Sequence, residues 1–226
     1  MVLRRILTGV LALTAAVAAG CSSDEAPSEP LPDAPALIRD AAAATGEIRS
    51  AHVTVQVNGT VPGLLVQSLE ADLTKQGEAK GTGTLNQLGQ LVEIEFVLTG
   101  DTLYLKGPTG GYQEIPATLS STVYDPSAVL DPERGVPQLL TALRDPKTEA
   151  RDEVDGTQAY RVTGTLNQEV LGGLLPGIQS AADMTFWLST GEGHLPVKAS
   201  AAFGDEATVD VTLSDVNKPV TVTAPA

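Results

Sequence analysis

The chain has one cysteine and two histidines in 226 residues. A single cysteine excludes any internal disulfide. With only His52 and His194 to accompany it, no His–x–His or paired-cysteine ligand pattern exists, and no metal site or cofactor is expected. There is no G-x-S-x-G turn and no P-loop, which removes common signatures of serine hydrolysis and nucleotide chemistry. Glu93 and Glu95 alternate with apolar neighbours and read as the solvated side of a strand, so no catalytic residue and no enzymatic activity are expected.

Positive charge is scarce. Lys and Arg total 14 against 28 Asp and Glu, a formal net charge of −14. Nucleic acid and anionic lipid surfaces repel such a body. Nucleic-acid binding is excluded on that ground, and any attachment to a membrane needs another device.

The sequence supplies that device at its start. Arg4 and Arg5 precede Ile6–Ala19, a run without charge and too short to span a bilayer comfortably. The run ends in Val17-Ala18-Ala19-Gly20-Cys21, small residues leading directly to a cysteine. This is the lipobox arrangement, with Ala18 where Leu is usual. Residues 1–20 are therefore expected to be a lipoprotein signal peptide, and Cys21 the lipidated residue. Lipidation also explains an unpaired cysteine in an exported chain. Without residues 1–20 the chain keeps 12 basic and 28 acidic residues, a formal −16.

Ser22–Pro35 is polar and acidic and contains four prolines. It cannot bury a core, and with Cys21 it reads as a linker, residues 21–35. At ~3.1 Å per residue its reach is roughly 40 Å. Residues 36–226 are long enough for one substantial domain.

Within that domain Ala36–Ile48 has helix formers and a stop near Gly46. Most of the chain beyond it alternates with period two. Val53, Val55 and Val57 share one face opposite His52, Thr54 and Gln56; Leu69, Ala71 and Leu73 oppose Glu70 and Asp72; Ile94, Phe96 and Leu98 oppose Glu93 and Glu95. Further strands are read around Gly81–Leu85, Leu103/Leu105, Tyr160/Val162, Met184–Leu188, Val197–Ala201 and Val209–Leu213. Short helices are expected at Asp125–Leu130 and Arg134–Leu143, with a Gly-rich helix-loop at Leu166–Ile178. The expected fold class is α+β: a strongly curved antiparallel sheet with helices on its concave side.

Aromatic residues are few, eight in all, so Val, Leu, Ala and Gly must fill the inward face. Composition leaves two readings open, a normal aliphatic core or a hollow. Two apolar segments with Gly and Pro, Val61–Val66 and Leu171–Ile178, each lead through a Gln-Ser pair into a strand. They mark a binding mouth, a lipid contact, or loops folded onto the core.

One stretch carries a resemblance. Val123-Tyr124-Asp125-Pro126-Ser127-Ala128-Val129-Leu130-Asp131-Pro132, continuing to Leu139-Leu140, together with Gly100–Tyr104 before it and Arg151–Gly156 after it, resembles the LprG/LppX (LppX/LprA/LprF/LprG) family of mycobacterial lipoproteins. The order of lipobox, linker, helix and strands matches over roughly residues 20–222. The resemblance implies a half-barrel sheet similar to the LolA/LolB carriers. It also implies a hollow holding an acylated lipid or glycolipid such as phosphatidylinositol mannoside, lipoarabinomannan or triacylglycerol. The implied role is carriage from the cell membrane across the periplasm toward the outer mycomembrane, in some cases with a major-facilitator transporter. With that hollow in view, Val55, Val57, Leu73, Ile94, Phe96 and Leu98 are expected to form its wall. Leu64, Leu65, Leu174 and Leu175 are expected at its mouth. The alternative is a structural or adhesive surface lipoprotein with a filled core and no cargo.

Overall fold

The computed structural model describes residues 30–87, 89–120, 126–175 and 177–225. Cys21, the signal peptide and most of the linker lie outside the described residues.

The first helix, α1 (Ala34–Gly46), begins two residues earlier than its composition predicts. Pro35 sits in its first turn, where a missing N–H costs nothing, and the Asp33 carboxylate accepts the Ala36 N–H at 3.2 Å. Leu37, Ile38, Ala41, Ala42 and Thr45 form its buried stripe, at the three- and four-residue spacing of one helix face. The Thr45 hydroxyl donates to the Ala41 carbonyl at 2.6 Å, which lets a polar side chain sit in that stripe.

Eleven antiparallel strands come after it: β1 (Ser50–Asn58), β2 (Val66–Thr74), β3 (Ala79–Gln87), β4 (Gln90–Thr99), β5 (Thr102–Lys106), β6 (Tyr112–Pro116), β7 (Arg144–Val154), β8 (Thr157–Leu166), β9 (Ala182–Ser189), β10 (Pro196–Phe203) and β11 (Ala207–Ser214). They form one open curved sheet in the order β6-β5-β4-β3-β2-β1-β11-β10-β9-β8-β7. Each strand thus pairs with its sequence neighbour, except at one seam where β11 closes onto β1.

The strand register sorts the apolar residues into rows across the sheet. One row runs Ile94–Gly83–Leu69–Val55–Val211–Ala199–Phe186–Val162. A parallel row holds Val57, Val209, Ala201 and Met184. On the other side of the first row lie Val53, Ala71, Gly81 and Phe96, and beyond them Ala51, Leu73, Ala79 and Leu98. Gly81 is needed where it stands, because a β-carbon there would overlap the backbone of Glu70 and Ala71.

Helices cover this apolar face. They are α1, a 3-10 turn at Pro126–Leu130, α3 (Val136–Thr141) and α4 (Gln168–Leu174); a single helical turn, α2 (Ala117–Ser120), comes after β6. Asn167 caps α4 by accepting the Val170 N–H at 3.0 Å. Of the two expected mid-chain helices, the second is present as α3 but shorter than its composition suggests, and the first is a 3-10 turn over its described residues. Among the described residues no helix is long and apolar enough to cross a membrane.

Candidate functional site: an apolar cavity closed by two glycine loops

Where α3 and α4 face the central strands, a cavity remains whose lining side chains are all apolar. Its floor is the pair of rows through Val55 and Val209, including Ala199, Ala201 and Phe186. Its roof is Val129, Leu139, Leu171 and their neighbours on the helices. Small side chains on β10 opposite leucines on α3 and α4 leave the space. Its free volume is about 80 Å³, well below the ~300–1,000 Å³ of ordinary small-molecule sites. Leu139, Leu171 and Leu174 of the roof face Ala199 and Ala201 of the floor across this space.

A larger groove of about 630 Å³ lies on the opposite, solvated face over β1–β5. Thr54, Gln56, Ser68, Thr84, Glu93 and Glu95 line it. It exceeds the apolar cavity in size but cannot shelter hydrocarbon, since filling it with an acyl chain would desolvate hydroxyls and carboxylates. At its edge the Glu95 carboxylate accepts from Lys106 Nζ at 2.8 Å and from the Tyr112 hydroxyl at 2.7 Å. The Lys106 hydrogen bond first, then that of Tyr112, holds the Glu95 carboxyl below its ordinary range. The same bonds to Glu95 push the Lys106 ammonium and the Tyr112 phenol up.

Two loops border the apolar cavity, contributing Leu64 and Leu175 to its lining. One, between β1 and β2, holds Val61–Leu65; the other, after α4, holds Leu175–Ile178. They meet at Gly63 and Gly177, whose φ angles are +89° and +96°. Each glycine lies against the other's carbonyl so closely that neither has room for a β-carbon. The two Gly/Pro segments of the sequence are thus in contact beside the cavity.

The expected wall and mouth residues divide between the cavity, the core beside it and positions outside both, Ile94 keeping the inward parity of its row. Val55, Leu64, Leu174 and Leu175 line the cavity. Val57, Leu73, Phe96 and Leu98 are buried on the same face of the sheet but do not border the free space. Ile94 is half-buried and borders the outer groove beside Gly83. Leu65 is 48% exposed and stands outside the cavity. Sequence reasoning did not single out Leu139, Leu171, Phe186, Ala199, Ala201, Val209 or Val211 as wall residues, yet they line it. The strand members of that set carry the inward parity, so their face was readable; their place along the sheet was not. Among the described residues no group of three or more His, Cys, Asp or Glu side chains is placed to hold a metal ion.

Comparison with known proteins places this architecture. The model of the LppX_LprAFG lipoprotein family matches residues 33–222. The chain is 36% identical to the lipoarabinomannan carrier protein LprG of Mycolicibacterium hassiacum, over 97% of this chain and 98% of that protein. It superimposes on the crystal structure of LprF from Mycobacterium bovis with a TM-score of 0.75 at 28% identity, covering 87% of this chain and 99% of that one. The crystal structure of LppX from Mycobacterium tuberculosis gives a TM-score of 0.64 at 26% identity, over 84% of this chain and 100% of that one. A family match over nearly the whole folded domain, joined to a full-length relative and two structures of the same sheet, shows that this chain belongs to the LppX_LprAFG lipoprotein family.

Proposed function

We propose that this protein is a membrane-anchored carrier of acylated lipid or glycolipid on the extracytoplasmic face of the cell membrane. The observation that carries the reading is the wholly apolar cavity between the sheet and α3–α4, opening at a mouth held by two glycine loops. A 16-carbon chain brought from a membrane into water costs on the order of 12 kcal/mol, at ~0.8 kcal/mol per methylene. A carrier must therefore enclose the tails, and only the apolar face offers a surface that can. Loading requires α3, α4 and the mouth loops to withdraw from the floor. The short helices, the glycines at the mouth and the loop attachments of this roof favour such a movement.

LprG relatives are named lipoarabinomannan carriers. By that likeness the cargo is a glycolipid whose tails enter the cavity while its headgroup stays at the mouth. Phosphatidylinositol mannoside, lipoarabinomannan and triacylglycerol are the candidates, and carriage toward the outer mycomembrane, with a major-facilitator transporter as partner, is the candidate route. Cys21 is proposed as the lipid anchor, and residues 22–33 as a spacer that gives the domain reach. One observation favours the other reading, a filled core: the free volume is only about 80 Å³.

Organic extraction of the purified full chain followed by mass spectrometry separates the two. A carrier yields stoichiometric acylated lipid. A protein that is folded, yields none, and takes up none from fluorescent-lipid vesicles is the filled-core lipoprotein.

A further inference from the structure

Only three large apolar side chains are strongly exposed among the described residues: Leu31, Leu65 and Leu91. Two of them flank Asn86 from either side, and Leu65 sits between the cavity-lining Leu64 and Val66. The Asn86 N–H donates to the Leu65 carbonyl at 2.7 Å, and Asn86 is the cross-strand partner of Leu91. Leu65 is 48% exposed and Leu91 64%. Leu91 has the parity of Glu93 and Glu95, so it lies on the outer side of the rim and contributes nothing to the cavity wall.

The charge pattern around these two leucines is unusual for this chain. In a sequence with 19% charged residues, none occurs from Val53 to Leu69, from Gly81 to Val92, or from Val170 to Ala182. These three segments contain the β1–β2 loop, the strand ends of β3 and β4, and the chain from α4 to β9. Glu93, two residues from Leu91 on the same face, is the first carboxylate along β4; Glu169, Asp183, Asp205 and Glu206 lie toward β8–β11, Glu206 with its backbone against Gly59.

We infer that the rim formed by Leu65, Leu91 and the uncharged mouth loops is a bilayer-docking edge, through which the protein seats its cavity mouth on an electrically neutral lipid surface. The inference rests on the carrier reading and adds where the membrane is met. A strongly acidic body cannot lie flat on an anionic surface. A neutral rim with protruding leucines can enter the interface, where the affinity scales with buried apolar area. Its position lets a tail pass from bilayer to cavity without crossing water.

The test uses the full chain and two donors of the same fluorescent phospholipid. One donor is phosphatidylcholine vesicles; the other is a short-chain form held below its micelle concentration. Leu91→Glu is expected to slow uptake from vesicles by about tenfold, the loss of one inserted leucine, and to leave uptake of the monomeric lipid unchanged. Leu65→Glu slows vesicle uptake as well, and the double variant more than either. Exchanging part of the phosphatidylcholine for phosphatidylglycerol slows the wild type at low salt, and added salt restores it. If Leu91→Glu draws lipid from vesicles at the wild-type rate, or if anionic vesicles are the faster donors, the docking edge is wrong. If Leu91→Glu instead dissociates a wild-type dimer in sedimentation, the edge is an interface between copies. If the wild type takes up neither vesicle nor monomeric lipid, the carrier reading itself fails.

Discussion

Gly63 and Gly177 touch backbone to backbone beside the apolar cavity, and both hold positive φ. A side chain at either position meets two penalties: a left-handed backbone that L-residues resist, and a carbonyl already occupying its place. Gly63→Ala and Gly177→Ala are each expected to cost at least about 1 kcal/mol of stability. Because the substituent wedges the loops apart, the same variants should release bound lipid faster. Melting and lipid-exchange rates measured together check this. A lower melting point with unchanged exchange would show that the contact is structural and gates nothing.

The cavity floor and the buried core beside it should answer differently to added volume. Ala201 lines the free space, whereas Leu98 is buried away from it. Ala201→Leu should reduce the lipid carried per protein at little cost to the lipid-free fold. Leu98→Trp overpacks a filled region and should cost ~1–3 kcal/mol while leaving lipid content intact. Quantitative mass spectrometry beside thermal melting gives both readouts. Full lipid loading of Ala201→Leu would move the binding site elsewhere.

Cys21→Ala should remove the lipid anchor. The exported variant is expected to keep the mass of the unprocessed chain and to change its partitioning between membrane and soluble fractions. Identical mass and partitioning for wild type and variant would end the lipoprotein assignment of residues 1–21.

The Tyr112 phenol is pushed up because its neutral O–H donates to the Glu95 carboxylate and its phenolate would face that charge. In the folded protein Tyr112 should therefore keep its proton above the usual tyrosine range. Its contribution to stability is complete below the unfolded phenol's pKa and is lost as pH rises through the raised folded value. Glu95→Gln should bring the last tyrosine titration, monitored by ultraviolet absorbance, back toward the ordinary range. An unchanged titration curve would show that Glu95 does not govern it.

How much of the fold was legible depended on where each strand sits in the sheet. Nine of the eleven strands among the described residues announce themselves by alternation. The two that do not, β6 and β7, are the two edges. β7 reads Arg-Asp-Pro-Lys-Thr-Glu-Ala-Arg-Asp-Glu-Val, charged throughout and with a proline near its start, which composition marks as a break rather than a strand. An edge strand has a free row of N–H and C=O groups, and charge and proline protect it from pairing with another chain. The residues that make β7 a good edge thus hide it from a pattern search. Asp145, at φ +50°, sits where the β7–β8 register slips, so the Asp-Pro break is real but lies inside the strand.

The site divides in a similar way. Parity alone placed Val55, Val57, Leu73, Ile94, Phe96 and Leu98 on one face, because side chains alternate strictly along a strand. Which part of that face borders open space depends on where the roof ends, and α3 and α4 are positioned by contacts far away in sequence. The meeting of Gly63 with Gly177 joins segments more than a hundred residues apart. The exposure of Leu65 and Leu91 at one rim likewise results from the pairing of β3 with β4 and the loop beside it.

By itself the sequence determined the lipobox, the acidic body, the apolar face of nearly every interior strand and the family likeness, since each is written in composition or in local spacing. Only the tertiary structure decided that β11 pairs with β1, that small residues on β10 lie under leucines of α3 and α4, and that two glycine loops meet beside the cavity. The physical reason is that local spacing fixes the direction in which a side chain points, while the space in front of it is set by whatever distant segment packs there.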